Sequence, residues 1–383
     1  MEAGMTMPRA TRNSEYTKEY NRKLILRLLR SRPMSRAEIA RQTGLTRASV
    51  SLIANDLLEE GLVEELAPES SARGRMPTPL TLRGDAGYAI GIYLNRKGCV
   101  AGVVDLNGKL YCQKHIQLSD KERFDPIVEA IDQLVRQAGV PREKLLGIGI
   151  SAPGPLDGES GRILNPPRFD LWHQTDVGPI LSQRTGLPVF LENNATSLAR
   201  YHCGRPESQG SDDFLLLLVD SGIGSGVVSK GKLLKGAGYF TSELGHTSIN
   251  INGRPCACGN IGCMEEYAAI PNLLKDSKFG SWKELVDAVE KDSDAASLLR
   301  QEAEYLSIGV VNLTNLLSID TVLLAGELLY GAEVIGPIME SMINSRFLHR
   351  ERQHIRVLPS TNLPNIKIIA AADIAFGRGL LMI

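Results

Sequence analysis

The chain has 383 residues, a formal net charge of −1, 43% hydrophobic and 23% charged residues. That make-up is ordinary for a soluble globular protein long enough for two or three domains. No apolar run reaches the roughly 20 residues of a membrane span, and the polar N-terminus lacks the apolar core of a signal peptide, so the expected location is the cytoplasm.

The basic charge is concentrated near the start. Residues 9 to 55 carry eleven Lys/Arg against three acids, whereas residues 56 to 69 hold six acids and no base. The positive potential therefore falls on one side of a small region. In "NRKLILRLLRSRP" the i, i+4 pairs Leu24/Leu28 and Ile25/Leu29 predict an amphipathic helix that stops before Pro33. In "SRAEIARQTGLTRASVSLIANDLLEEGLV", Ser35 and Glu38 form a capping box and Gly44 closes the helix. Thr46 caps a second helix with Val50, Ile53, Leu57 and Leu58 on its apolar face.

Two short helices joined by a tight turn describe a helix-turn-helix, with Thr46, Arg47, Ser49 and Ser51 on the candidate recognition helix. The following "GLVEELAPESSARGRMPTPLTL" alternates and turns like a two-stranded wing. Arg73 and Arg75 flank Gly74 at its tip, where an extended arginine can enter a minor groove or lie on phosphates.

Beyond residue 84 the texture becomes α/β. "GYAIGIYLN", "CVAGVVDLN" and "KLYCQKHIQL" read as three consecutive strands, followed by a helix near 125 to 138 and the strand "LLGIGIS". A second cycle starts at "DFLLLLVD", with helices near 281 to 290 and 293 to 317 and the strand "DTVLLAG". Two successive halves of this kind predict a two-lobed body with a cleft between the lobes. In "PVFLENNATSLAR" an apolar strand ends on Glu192, Asn193 and Asn194 at the start of a helix, the junction where ligands sit in α/β domains.

Of the six cysteines, Cys256, Cys258 and Cys263 lie within eight positions, with His246 ten positions upstream. One nitrogen and three sulfurs suit tetrahedral Zn²⁺, and four protein ligands make the metal structural. Gly259 and Gly262 let the thiolates converge.

From "NRKLILRLL" to "AADIAFGRGLL" the chain resembles transcriptional regulators of the ROK family (repressors, open reading frames and sugar kinases), most specifically in "SRAEIARQTGLTRASVS", "SELGH" and "CACGNIGCMEE". The resemblance implies an α/β fold: a winged helix-turn-helix over 15–84, then a sugar-kinase-like body of the actin/hexokinase, ribonuclease H-like type. Its first lobe would span 85–192, joined by a returning C-terminal helix at 370–383, and its second lobe, with the zinc site, would span 193–369.

It also implies a sugar site of Gly154, Asn193, Asn194, Glu243, His246 and Glu265, with His246 both binding zinc and touching the ligand. Carboxylates and amides are the side chains that take paired hydroxyls. A helix-cap or turn acid is the other reading of Glu243, and a first-turn acid that of Glu265.

Two departures argue against catalysis. Family kinases carry an Asp at the position of Asn194 as the base for the attacking hydroxyl, and an amide has no basic lone pair near neutral pH. Their phosphate signature D-x-G-x-T aligns with "IGIYLNRKGC", which puts Tyr93 at the acid and Asn95 and Arg96 at glycines. The adenosine-side glycines are altered in "LLAGELL", and only "DSGIGSG" keeps a glycine-rich turn.

The expected protein is a sugar-responsive repressor without enzyme activity. It would bind operator DNA as a homodimer or higher homo-oligomer, with a sugar or sugar phosphate as effector. The alternatives are an active sugar kinase with a DNA-binding domain and a regulator controlled by a protein partner.

Overall fold

The computed structural model describes residues 14–67, 78–95, 98–119, 122–205, 211–236 and 242–380. α1 (Ser14–Ser31) buries Ile25, Leu26 and Leu29. After β1 (Met34–Ser35), Ser35 Oγ accepts the Glu38 N–H while the Glu38 carboxylate accepts the Ser35 N–H at 2.9 Å, so α2 (Arg36–Thr43) starts on a complete capping box. Gly44 ends it in the left-handed region, φ 71°. Thr46 then accepts the Ser49 N–H at 3.1 Å and opens α3 (Arg47–Glu59), whose Val50, Ile53 and Leu57 are buried.

β2 (Val63–Glu65) and β3 (Pro79–Leu82) complete the module. The sheet has three strands, not two: β1 pairs with β3 on the side away from β2. Met34 is buried there, so the segment leaving α1 closes the open edge of β3. Arg73 and Arg75 lie outside the described residues.

The first sheet of the body is built from β4 (Tyr88–Asn95), β5 (Gly98–Asp105), β6 (Leu110–Ile116), β7 (Leu145–Ala152) and β10 (Val189–Asn193), in the order β10-β7-β4-β5-β6. α4 (Asp125–Ala138) lies between β6 and β7. A hairpin of β8 (Leu156–Asp157) and β9 (Arg162–Ile163) and then α5 (Val177–Thr185) precede β10. α6 (Asn194–His202) follows β10 without a loop.

The second sheet, β13-β12-β11-β14-β15, comprises β11 (Phe214–Val219), β12 (Ile223–Ser229), β13 (Lys232–Leu233), β14 (Thr321–Gly326) and β15 (Arg356–Pro359). Between β13 and β14 run α7 (Glu265–Ala268), α8 (Ile270–Leu274), α9 (Trp282–Ala288) and α10 (Ser293–Leu317). α11 (Ala332–Arg346) links β14 to β15. Buried on both faces, β11 sends Phe214, Leu216 and Leu218 into one core and Leu215, Leu217 and Val219 into another.

The last helix, α12 (Ile366–Ala375), starts four residues before the expected 370 and packs on the first sheet. A Cβ at Gly91 would overlap Ile368 O and one at Gly149 would overlap Ala371 O, so both glycines are required for this close approach. Among the described residues no helix is long and apolar enough to cross a membrane.

Candidate functional site

β10 and α6 meet at the cleft. Asn193 is the N-cap of α6: its Oδ1 accepts the N–H groups of Ala195 at 2.9 Å and Thr196 at 3.5 Å. The amide oxygen is thus engaged by the helix, and Nδ2 points at Gly154, where a Cβ would lie 2.8 Å from it and 3.3 Å from Glu243 Oε1. Only the donor end of Asn193 faces the cleft.

Asn194 is held from behind by Ser151 and Ser197. Ser151 Oγ donates to Asn194 Oδ1 at 2.7 Å and lies 2.8 Å from Ser197 Oγ, which donates to Asn194 O at 2.8 Å. The Asn194 carbonyl oxygen is thus engaged by Ser151, which leaves its NH₂ end for other partners.

The opposite wall comes from the second lobe. Glu243 precedes a short 3₁₀ turn, Leu244–His246. The protein around its carboxyl raises its pKa, with nearby Glu265 adding to the rise and His246 opposing it. Glu265 opens α7, and its Oε2 accepts the Ile223 N–H at 2.8 Å, fixing the start of β12. Gly154 and Asn193 thus meet Glu243, and Glu243 lies within electrostatic reach of His246 and Glu265.

His246, Cys256, Cys258 and Cys263 bring one ligand atom each to within 4.8 Å of one another. His246 Nδ1 is 3.6 Å from Cys256 Sγ, and Cys258 Sγ is 3.7 Å from Cys263 Sγ. Two metal–sulfur bonds of about 2.3 Å at a tetrahedral angle separate sulfurs by about 3.8 Å, so the four atoms fit a metal. Gly259 and Gly262 have φ of 92° and 72°, the left-handed turns that fold the loop back on itself.

Tyr93 faces Lys367, whose Nζ lies 5.0 Å from the ring centroid and 2.7 Å from Asp220 Oδ2. Asp220 Oδ1 accepts the Glu327 N–H at 3.0 Å. Burial opposes the Lys367 charge, but Tyr93 and Asp220 outweigh it and raise its pKa. Lys367 was not among the residues singled out in the sequence, where nothing marks a lysine in an apolar C-terminal helix. Two glycines of "DSGIGSG" serve packing: Gly224 and Gly226 lie in β12, where a Cβ would press on Ala195 and Ala199 of α6. Arg96 is outside the described residues.

In the winged module Thr46 and Arg47 are exposed, while Ser49 and Ser51 are half-buried. Ser49 Oγ is 2.8 Å from Thr46 Oγ1, so this pair is engaged in the cap. The outward face of α3 instead joins Arg47, Ala48, Ser51, Leu52 and Asn55, and Leu52 is 68% exposed. The signal in the sequence was a leucine outside the Val50/Ile53/Leu57 stripe.

The ROK family profile matches residues 89–376, and a MarR family profile matches residues 20–74. The chain is 28% identical to the xylose repressor of Bacillus subtilis (strain 168), over 96% of this chain and 98% of that protein. It is also 28% identical to the DNA-binding transcriptional dual regulator NagC of Escherichia coli (strain K12), over 91% and 90% of the two chains. Among solved structures, a ROK family transcriptional regulator described as a homolog of the E. coli MLC protein superposes with a TM-score of 0.77. It is 24% identical and covers 95% of this chain and 98% of that one, a likeness of fold. A ROK hexokinase from Thermus thermophilus gives a TM-score of 0.64 at 28% identity, over 76% of this chain and 98% of the other. With a family profile matched over most of its length, the chain belongs to the ROK family.

Proposed function

We propose that this chain is a sugar-responsive DNA-binding transcriptional repressor of carbohydrate-utilisation genes, acting in the cytoplasm as a homodimer or higher homo-oligomer. Its body would bind sugar without phosphorylating it. One observation carries this reading: a helix-turn-helix with an outward Arg47, Ser51, Leu52 and Asn55 face is joined to a ROK-family body, in which the amide Asn194 would stand at the position of a kinase's base. The relatives named repressors or regulators, matched over nearly the whole chain, support it.

The sugar would lie between Gly154, Asn193 and Asn194 on one side and Glu243, His246 and Glu265 on the other. Asn193 and Asn194 would hydrogen-bond sugar hydroxyls without removing a proton. By the resemblance, Tyr93 and the Lys367–Asp220 pair would occupy the room that phosphates and Mg²⁺ need, so ATP would not bind. The four-ligand cluster would hold structural Zn²⁺, keeping His246 at the cleft wall. A sugar that binds one lobe geometry better than the other would shift the population and change operator affinity. Arg47, Ser51 and Leu52 would face base edges, Thr46 and Ser49 would shape the helix start, and Arg73 and Arg75 would reach a minor groove.

The test is a thermal-shift and gel-shift series with aldoses, aminosugars and their phosphates, each with and without ATP. A sugar should stabilise the protein and alter operator affinity, and ATP should do neither. Asn194→Ala should weaken sugar binding about tenfold through one lost hydrogen bond while leaving sugar-free operator affinity unchanged. An operator affinity indifferent to every sugar would overturn the induction part.

A further inference from the structure

α1 does not simply precede the body; it is clamped to it by a buried charge. Arg30 Nε donates to Asp373 Oδ1 at 2.8 Å, and Nη1 donates to Leu106 O at 2.6 Å. Nη2 makes a 2.7 Å ion-pair contact with the same carboxylate oxygen, and the guanidinium stacks 4.4 Å from the Phe376 ring centroid. Both side chains are about nine-tenths buried, at 8% and 10% exposure.

Asp373 is shared. Arg205, just beyond α6, has Nη2 3.8 Å from Asp373 Oδ1, and Arg200 of α6 lies within electrostatic reach. Burial works against the Asp373 charge, yet Arg30 and Arg205 outweigh it and hold the carboxyl below its ordinary range. Arg200 in turn grips Glu192, with Nε donating to Oε2 at 2.7 Å and Nη2 to Oε1. Glu192 is the residue before Asn193, and Arg200 is six residues into the helix that Asn194 begins.

One carboxylate on α12 thereby touches Arg30 of the DNA-binding module on one side and Arg205 beyond α6 on the other, with Arg200, the partner of Glu192, within electrostatic reach. We propose that Asp373 and Arg30 are the positioning pair through which the candidate sugar site sets the orientation of the winged module. Glu192 and Arg200 carry the displacement to Asp373. This inference rests on the sugar-responsive reading above. A ligand that draws α6 toward the cleft changes how Arg200 and Arg205 share Asp373, and Arg30 must follow because it is too buried to exchange its partner for water. Buried arginine–carboxylate contacts are directional and hold one geometry at a time.

The test uses the full chain, native and as Arg30→Gln and Arg30→Lys. Readouts are hydrogen exchange of the α1 amides, affinity for a duplex selected by the native protein from a random pool, and that affinity in saturating D-xylose or N-acetyl-D-glucosamine. Arg30→Gln should bind the probe sugars within about twofold of native and speed α1 exchange. It should weaken duplex binding about tenfold and lose most of the sugar-dependent change. Arg30→Lys, which keeps the charge but not the fork, should recover part of that change.

Native-like α1 exchange in Arg30→Gln would overturn the proposal. So would faster exchange with the sugar response intact, which would make the pair a mere attachment. If native protein ignores every probe sugar, the sugar-responsive reading fails on its own. The pair is then judged by α1 exchange and duplex affinity, where a change in both supports it and a change in neither overturns it.

Discussion

Lys367 and Asp220 join the two sheets of the body through a 2.7 Å ion pair. Lys367 arises from α12 on the first sheet, and Asp220 from the end of β11 in the second. With Tyr93 beneath the ammonium, a cation, an anion and a phenol meet at one point, which in the function proposed above is the place a kinase gives to phosphate and Mg²⁺.

The obvious repair of the base should therefore fail. Asn194→Asp supplies a carboxylate at the proton-accepting position but leaves Tyr93 and Lys367 in place. We expect no ADP release above the native blank from ATP and any hexose in a coupled assay, and no shift in melting temperature with ATP. A measurable turnover would show that the phosphate side is open.

The metal cluster should matter to stability and to the sugar site together. Stripping the ion with a chelator, or Cys258→Ser, should lower the melting temperature by roughly 5 °C or more, because the loop from 246 to 263 then lacks its crosslink. Sugar affinity should fall as well, since the proposed function gives His246 both to the metal cluster and to the sugar site. Adding Zn²⁺ back should reverse the chelator effect and not that of the substitution, which scanning fluorimetry can follow.

On α3 the exposed Leu52 gives a sharper test of the DNA-facing surface than the serines. Leu52→Glu places a negative charge on the outward face and should reduce duplex affinity more than about tenfold with melting unchanged. Arg47→Ala should cost about 1–3 kcal/mol of binding, lowering the salt slope by about one if the contact is to phosphate. Fluorescence anisotropy over a salt series separates these outcomes. Loss of melting temperature in Leu52→Glu would instead mark it as a packing residue.

Glu302 on α10 is fully buried, and neither carboxylate oxygen has a hydrogen-bond partner in the structure. Burial raises its pKa well above the ordinary value, so the native state holds a proton that the unfolded chain releases near pH 4.5. Above that pH the unfolded state binds fewer protons than the native state, and stability falls as pH rises until the folded pKa is passed. Glu302→Met should remove this slope. It should stabilise the protein more at pH 8 than at pH 5, by roughly 1 kcal/mol or more, in urea unfolding at the two pH values. An equal effect at both would mean that the carboxyl finds solvent or a partner.

Much of this molecule was legible in the chain because the signals are local. The Ser35/Glu38 box, the Gly44 stop and the Thr46 cap involve groups within four residues of each other, and the structure forms all three. The cluster of His246 with Cys256, Cys258 and Cys263 spans eighteen residues and closes through two left-handed glycines. The strand and helix around Asn193 and Asn194 were equally visible, since one apolar run and one cap define them.

What the sequence could not express is which distant groups face one another once the layers pack. Ser49 Oγ also lies against the Thr46 cap, and Gly224 and Gly226 of "DSGIGSG" admit α6. Third-strand pairing by Met34–Ser35 depends on β3, 45 residues away, and Lys367 meets Asp220 across 147 residues. The sequence by itself determined the element types, the helix-turn-helix and the ligand set of the cluster, because nearest-neighbour hydrogen bonding and hydrophobic period govern them. Only the tertiary structure decided that Ser151 engages the Asn194 amide and that Asp373 binds Arg30, because those follow from the burial of charges and donors brought together from distant parts of the chain.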